Sequence, residues 1–195
     1  VTGRGVRTVA AGLALLGLVA GCTSSDAAPQ PDPSPRPAYV LPACPELPAV
    51  APLARGGLPD LTLPCLGGGR SVDLADLRGT PMVLNVWAAW CANCDREMPL
   101  FAAAMAQAGD RVRFFGIHYK AAEKYGEQSA ADFGVPFPSV HDEDGDQVAR
   151  ALRATAPPQT LFVTADGRIA GREVGEIRSQ QELDRLVERY LGVAL

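Results

Sequence analysis

Two cysteines three positions apart, Cys91 and Cys94, close an apolar run in the segment WAAWCANCDREMP at residues 87–99. Such a pair can ligate a metal, form a structural disulfide or pass electrons. A closed zinc site needs four ligands at compatible spacing. Here Cys44 and Cys65 lie far apart in sequence without forming a second C-x-x-C, and the two histidines, His118 and His141, do not have ligand spacing. No metal is therefore expected. A redox pair is a better match to the position. A cysteine at the start of a helix meets unpaired backbone N–H groups and the positive end of the helix dipole, and both favour thiolate over thiol. Cys91 is the expected attacking sulfur. Cys94, one turn inward, is placed to resolve a mixed disulfide by attacking Cys91. Ala92 and Asn93 fill the interval, and Trp87 and Trp90 are expected to cover the site with apolar surface. Asp95 and Arg96 read as a solvated helix face, and His118, at a strand's end, as structural.

The elements that must hold this pair alternate short β-like runs with helical ones, the pattern of an α/β sheet with helices on its faces. LPDLTLP (58–64) reads as a strand and SVDLADLRG (71–79) as a strand followed by a single helical turn. PMVLNVWA (81–88) is nearly continuous in apolar residues, as expected of a central strand buried on both faces. Residues 91–108 are alanine-rich and helical, with Pro99 expected to interrupt and kink them. VRFFGIHY (112–119) is a second central strand, and residues 121–134 a helix stopping at Gly134. Residues 136–154 give a short strand, a solvated acidic turn and a short helix. Residues 160–175 give a hairpin around Asp166-Gly167. The last helix, 178–192, carries Leu183, Leu186, Val187 and Tyr190 on one face.

Several other chemistries are excluded. The three glycines of CLGGGR are not followed by the Gly-Lys-Ser/Thr of a phosphate loop. Aligning Gly145 with the invariant glycine of a calcium loop puts Val140 and Ala151 where carboxylates are required. The 195-residue chain has a formal net charge of −4 and no basic stripe, which argues against nucleic-acid binding.

The chain opens with Arg4 and Arg7 before an apolar stretch, 9–20, too short to span a bilayer comfortably. Val19-Ala20-Gly21-Cys22 resembles a bacterial lipoprotein cleavage box, so residues 1–21 are expected to be a signal peptide and Cys22 the lipidated residue. Residues 22–43, rich in Pro, Ser and Asp, read as an extended tether, and 44–195 as the folded domain. This predicts a domain lipid-anchored to the cell membrane on its extracytoplasmic face. With Cys22 lipidated, four of the five cysteines remain. An oxidising compartment favours pairing Cys91 with Cys94 and Cys44 with Cys65. In the alternative, Cys44 and Cys65 are unpaired and buried.

The segment VLNVWAAWCANCDREMP resembles the membrane-anchored thioredoxin-like proteins of the TlpA/ResA/CcmG group, with Cys91, Cys94, Glu97 and Pro99 fitting the C-x-x-C-x-x-E-x-P portion without a gap. APPQTLFVTADGRI resembles the family's Pro-x-Thr loop, which makes Pro158 the cis-proline beside the active-site disulfide, with Thr160 after it. The likeness runs from about Leu58 to the end. It implies a thioredoxin fold, a central mixed sheet flanked by helices with an N-terminal extension. It also implies an extracytoplasmic thiol:disulfide oxidoreductase without a cofactor. Its expected partners are protein thiols or disulfides, apocytochrome c among them, and a membrane thiol carrier of the DsbD/CcdA type. A thiol oxidase of DsbA or DsbE type and a non-catalytic binding module on the same scaffold stay open. A peroxidase of this fold would carry Pro-x-x-x-Thr-x-x-Cys, which is not found near Cys91.

The sequence also departs from the pattern. The pair encloses Ala-Asn and lacks the proline of thioredoxin. Pro157 precedes Pro158 and cannot donate the N–H that this position normally offers a substrate. Asn85 takes the place of thioredoxin's buried aspartate. The glutamate that ResA-like members carry after the next strand aligns with Ala121, leaving Glu123 or water to move the Cys94 proton if no buried carboxylate is present.

Overall fold

The computed structural model describes residues 39–46 and 57–195, all within one compact unit that begins at residue 38. The signal segment, Cys22 and the tether up to residue 38 lie outside the described residues. Within the chain order the strands are β1 (Thr62–Pro64), β2 (Ser71–Asp73), β3 (Met82–Trp87), β4 (Arg113–Tyr119), β5 (Ser139–Asp142), β6 (Gln159–Val163) and β7 (Ile169–Val174). The helices are α1 (Ala92–Ala108), α2 (Glu123–Phe133), α3 (Asp146–Leu152) and α4 (Gln180–Leu191).

Five strands form one sheet in the order β5-β4-β3-β6-β7. β3, β4 and β5 run parallel, and β6 and β7 run antiparallel to their neighbours. Every residue of β3 is buried, which explains its unbroken apolar run and leaves Asn85 as its one polar side chain. β1 and β2 pair separately as a short antiparallel ribbon. Two apolar clusters form the core. One contains Leu84, Phe115 and Leu161, and the other joins α1 and α4 to the sheet through Met98, Phe101, Phe162 and Leu183. The second cluster seats α1, and α1 carries the cysteines.

Four expectations need adjustment. Pro99 does not interrupt α1, which continues to Ala108. A proline there forgoes one helical hydrogen bond, and burial of Met98, Phe101, Ala104 and Ala108 on the same helix compensates. The stretch 142–146 is not wholly solvated: Asp142 is buried, and its Oδ2 accepts the Val148 N–H at 2.8 Å, tying β5 to α3. The tether does not run free to residue 43. The Tyr39 hydroxyl donates to Val135 O at 2.9 Å and Leu41 packs on the core, so the compact part starts before Cys44. Finally, LPDLTLP is a strand only over Thr62–Pro64.

Candidate active site

β3 ends at Trp87, and the chain turns through Ala88-Ala89-Trp90 into the N-terminus of α1. Cys91 is the N-cap residue of that helix, with extended backbone, and its Sγ accepts the Cys94 N–H at 3.2 Å. The helix therefore points one of its orphan donors at the sulfur, as it would at any N-cap acceptor. Cys91 and Cys94 are joined by a disulfide with Cα atoms 5.3 Å apart. Cys94 is fully buried while Cys91 retains 6% exposure, so Cys91 is the more accessible member of the pair.

The loop into β6 reaches the same end of the sheet, since Gln159 pairs with Val86 near the end of β3. The Pro157–Pro158 peptide bond is cis. Pro158 O accepts the Gly175 N–H at 3.0 Å, which fastens this loop to the segment that leaves β7. α1 holds that same segment twice. On the surface, the Arg96 guanidinium forks onto Glu176 with bonds of 2.8 and 2.7 Å, so Arg96 is more than a solvated residue. Inside, the Ile177 N–H donates to Glu97 Oε1 at 2.6 Å. Two consecutive α1 residues thus position the partner of Pro158.

Glu97 is completely buried. It lies three residues beyond Cys94, on the same side of α1. Burial pushes its pKa up from an ordinary 4.5 to about 7, against the opposing pull of the Ile177 N–H and the Asn85 amide. Asn85, in β3, donates from Nδ2 to Thr160 Oγ1 at 3.2 Å across the β3–β6 pairing. Among the described residues, Glu97 Oε2 and Asn85 Oδ1 have no hydrogen-bond partner. Both are acceptors while Glu97 is ionised. A proton on Oε2 makes one of them a donor, so the arrangement suits a carboxyl that can take up and release a proton near neutral pH.

The matching family model spans residues 56–172 and is described as the AhpC/TSA family. The chain belongs to that family. It is 35% identical over 133 residues to a thiol:disulfide interchange protein DsbE of Pseudomonas fluorescens biotype C, covering 68% of this chain and 72% of the relative. It is 31% identical over 123 residues to a thiol-disulfide oxidoreductase ResA of Oceanobacillus iheyensis, covering 63% of this chain and 61% of the relative. Among solved structures, a Mycobacterium tuberculosis DsbF in mixed oxidised and reduced forms superposes with a TM-score of 0.60 at 27% identity, covering 67% of this chain and 95% of that one. The fold is a thioredoxin-like mixed sheet flanked by helices, and the chain is a thiol:disulfide oxidoreductase of the DsbE/ResA type with a redox-active C-x-x-C.

Within this oxidoreductase the two tryptophans have different places. Trp90 is 58% exposed and donates from Nε1 to Lys120 O at 3.1 Å, at the rim of the site. Trp87 does not cover the site. It is fully buried behind it, with Nε1 donating to Ser139 Oγ at 3.2 Å and its ring 4.8 Å from the His118 ring. His118 is buried too, and desolvation lowers its pKa to about 4, so it stays neutral inside the sheet layer. Glu123 is not the buried acid: its side chain is 41% exposed and its Oε2 lies 4.0 Å from His141 Nε2. The buried carboxylate on the helix that carries the pair is Glu97, and the sequence does carry the signal. Cys94, Met98 and Phe101 mark the inward stripe of α1, and Glu97 falls within it. Cys44 and Cys65 form a second disulfide, Cα atoms 6.1 Å apart, joining the arm at 39–46 to the residue that follows β1.

Proposed function

We propose that this oxidoreductase acts outside the cytoplasm as a disulfide reductant, held at the membrane by a lipid on Cys22. The observation that carries the direction is Glu97. A thioredoxin-fold dithiol is a strong oxidant when its reduced form is stabilised, as in DsbA. An ionised carboxylate one turn beyond Cys94 opposes thiolate formation there, which withholds the stabilisation of the reduced form that makes a DsbA-like dithiol oxidising. The extracytoplasmic placement is supported by the leader with its cysteine box and by the Cys44–Cys65 disulfide, since disulfides persist in oxidising compartments.

In the reductive direction the Cys91 thiolate attacks one sulfur of a partner disulfide. That bond breaks, a mixed disulfide forms, and the partner's other sulfur leaves as thiolate and takes up a proton. Cys94 gives its proton to ionised Glu97 and attacks Cys91 Sγ. The mixed disulfide breaks, the Cys91–Cys94 disulfide forms, and the partner leaves with two electrons. Pro158, in the loop that enters β6, positions the partner chain. Apocytochrome c, whose haem-site cysteines must be reduced before attachment, is the leading partner by family likeness. A membrane thiol carrier of the DsbD/CcdA type would return the electrons.

The test is the reduction potential of the Cys91–Cys94 couple, measured by equilibration with dithiothreitol or glutathione while Cys44–Cys65 stays intact. A value near or below the roughly −270 mV of thioredoxin is expected. A value near the roughly −120 mV of DsbA would make the protein an oxidant of exported thiols and overturn the cytochrome assignment.

A further inference from the structure

The Pro157-Pro158 loop offers a partner only half of the backbone contact that such a loop can make. A partner segment lying along it can donate an N–H to Pro157 O, but its own carbonyl finds no donor at residue 157, because proline has none. Part of the hold on the partner must then come from elsewhere around Cys91. On the α2 side of Cys91 the surface is apolar and shaped. Trp90 and Tyr125, 58% and 52% exposed, wall a cleft of about 360 Å³ floored by Ala89 and Ala121. Its far end carries Ser129 and Asp132, and Asp132 is its one charged lining residue. The indole is fixed by its bond to Lys120 O, and the Lys124 ammonium sits 4.9 Å from the Tyr125 ring centroid. A cleft of this size is at the small end for a ligand site and suits one or two side chains. Its wall residue Trp90 immediately precedes Cys91 in the chain, so the cleft lies on the approach to the reactive pair.

We infer that this cleft selects the partner: a polypeptide whose reacting cysteine is flanked by an aromatic or large aliphatic residue that fills the Trp90–Tyr125 cleft, followed by a lysine or arginine that reaches Asp132. The inference rests on the thiol:disulfide exchange described above and holds for either direction of electron flow. Half-burying an aromatic side chain corresponds to about a tenfold preference. An exposed ion pair adds at most about fivefold.

The experiment uses the full chain and four disulfide peptides in which the cysteine pair is flanked by Phe-Lys, Phe-Glu, Ser-Lys or Ser-Glu. kcat/KM is compared between peptides on the same protein, so that any loss of folded or active material cancels in the ratio. The wild type is expected to favour Phe over Ser about tenfold and Lys over Glu two- to fivefold. Tyr125→Ala should cut the first ratio to below about threefold, and Asp132→Lys should invert the second. Pro157→Ala, which restores the N–H, should raise kcat/KM for all four peptides about fivefold. Ratios within twofold of unity in the wild type, or ratios unmoved by Tyr125→Ala and Asp132→Lys, overturn the inference. So does exchange with none of the peptides. Failure of the exchange reading itself is seen separately, as the absence of a reversible two-electron couple with dithiothreitol.

Discussion

Glu97 and His118 are buried on different elements and should pull the stability of the oxidised protein in opposite directions over the same pH range. The Glu97 pKa is raised from 4.5 to about 7 by burial. Its contribution is complete below pH 4.5 and is lost as the pH climbs to about 7, because the unfolded chain releases this proton first. The His118 pKa is lowered from 6.5 to about 4, by burial first and by the neighbouring His141 second. Its contribution is complete above pH 6.5 and is lost as the pH falls to about 4. Each displacement corresponds to about 3 kcal/mol. Between these limits the two slopes are of equal size and opposite sign, so the pair adds little net slope to the wild type. Removing either group exposes the other. For Glu97→Gln, unfolding free energy minus that of the wild type should rise by about 3 kcal/mol from pH 4.5 to 7. For His118→Phe, which keeps a ring against Trp87, the same difference should rise by about 3 kcal/mol from pH 6.5 down to 4. Urea unfolding of the oxidised protein in half-unit pH steps reads both, and surface carboxylates common to all three proteins cancel. A Glu97→Gln difference that stays flat to within about 0.5 kcal/mol over this range would refute the assignment of Glu97 as a buried, protonated acid.

Other consequences can be checked with single substitutions. Replacing Cys44 and Cys65 together by serine opens a loop of sequence separation 21. It should lower stability by about 3 kcal/mol in urea while leaving a reversible Cys91–Cys94 couple. A methyl group at Gly116 would meet Phe137 Cε2 at 2.7 Å and Trp87 Nε1 at 3.0 Å in the middle of the sheet. Gly116→Ala should therefore cost about 1–3 kcal/mol and shift the Trp87 near-ultraviolet signal. Arg96→Ala removes an exposed ion pair to Glu176. Global stability should change by less than about 1 kcal/mol, but amide exchange at 175–178 should quicken, because one of two ties to α1 is gone.

Much of this architecture was legible because periodicity and punctuation agree with the tertiary environment. β3 reads as a doubly buried strand and is one. The Asp166-Gly167 turn closes β6 on β7, with Gly167 at φ +87° and Thr164 N–H donating to Arg168 O at 2.8 Å. Leu183 and Val187 face inward from α4, with Leu186 and Tyr190 packed beside them. The features not legible in the sequence are ones in which a residue's type says little about its surroundings. Asp142 sits in an acidic run that looks solvated, yet a single N–H from Val148 suffices to bury it. Trp87 and Trp90 are the same residue type three positions apart, but one belongs to a strand and the other to a turn, so one is core and one is rim. β1 and β2 are three residues long and owe their existence to each other and to the Cys44–Cys65 tie beside them, not to local propensity.

Glu97 is the most instructive of these. On the strands, where thioredoxin keeps its aspartate, this chain has Asn85, and Glu123 beyond β4 is partly exposed. Moving the carboxylate onto α1 changes more than its address. On a strand it would be held by the sheet alone. On α1 it accepts the Ile177 N–H, and Ile177 lies two residues beyond the Gly175 that holds Pro158. The protonation state of Glu97 is thereby linked to the loop that carries Pro158. Hydrogen bonds to an ionised acceptor are about twice as strong as neutral ones, so ionising Glu97 tightens the Ile177 contact and neutralising it relaxes the contact. The proposed proton transfer with Cys94 and the firmness of the Pro158 loop are then two readings of one equilibrium. Glu97→Gln separates them: it keeps an oxygen for Ile177 and removes the titrating proton, so a lost pH dependence with an intact loop distinguishes the proton role from the positioning one.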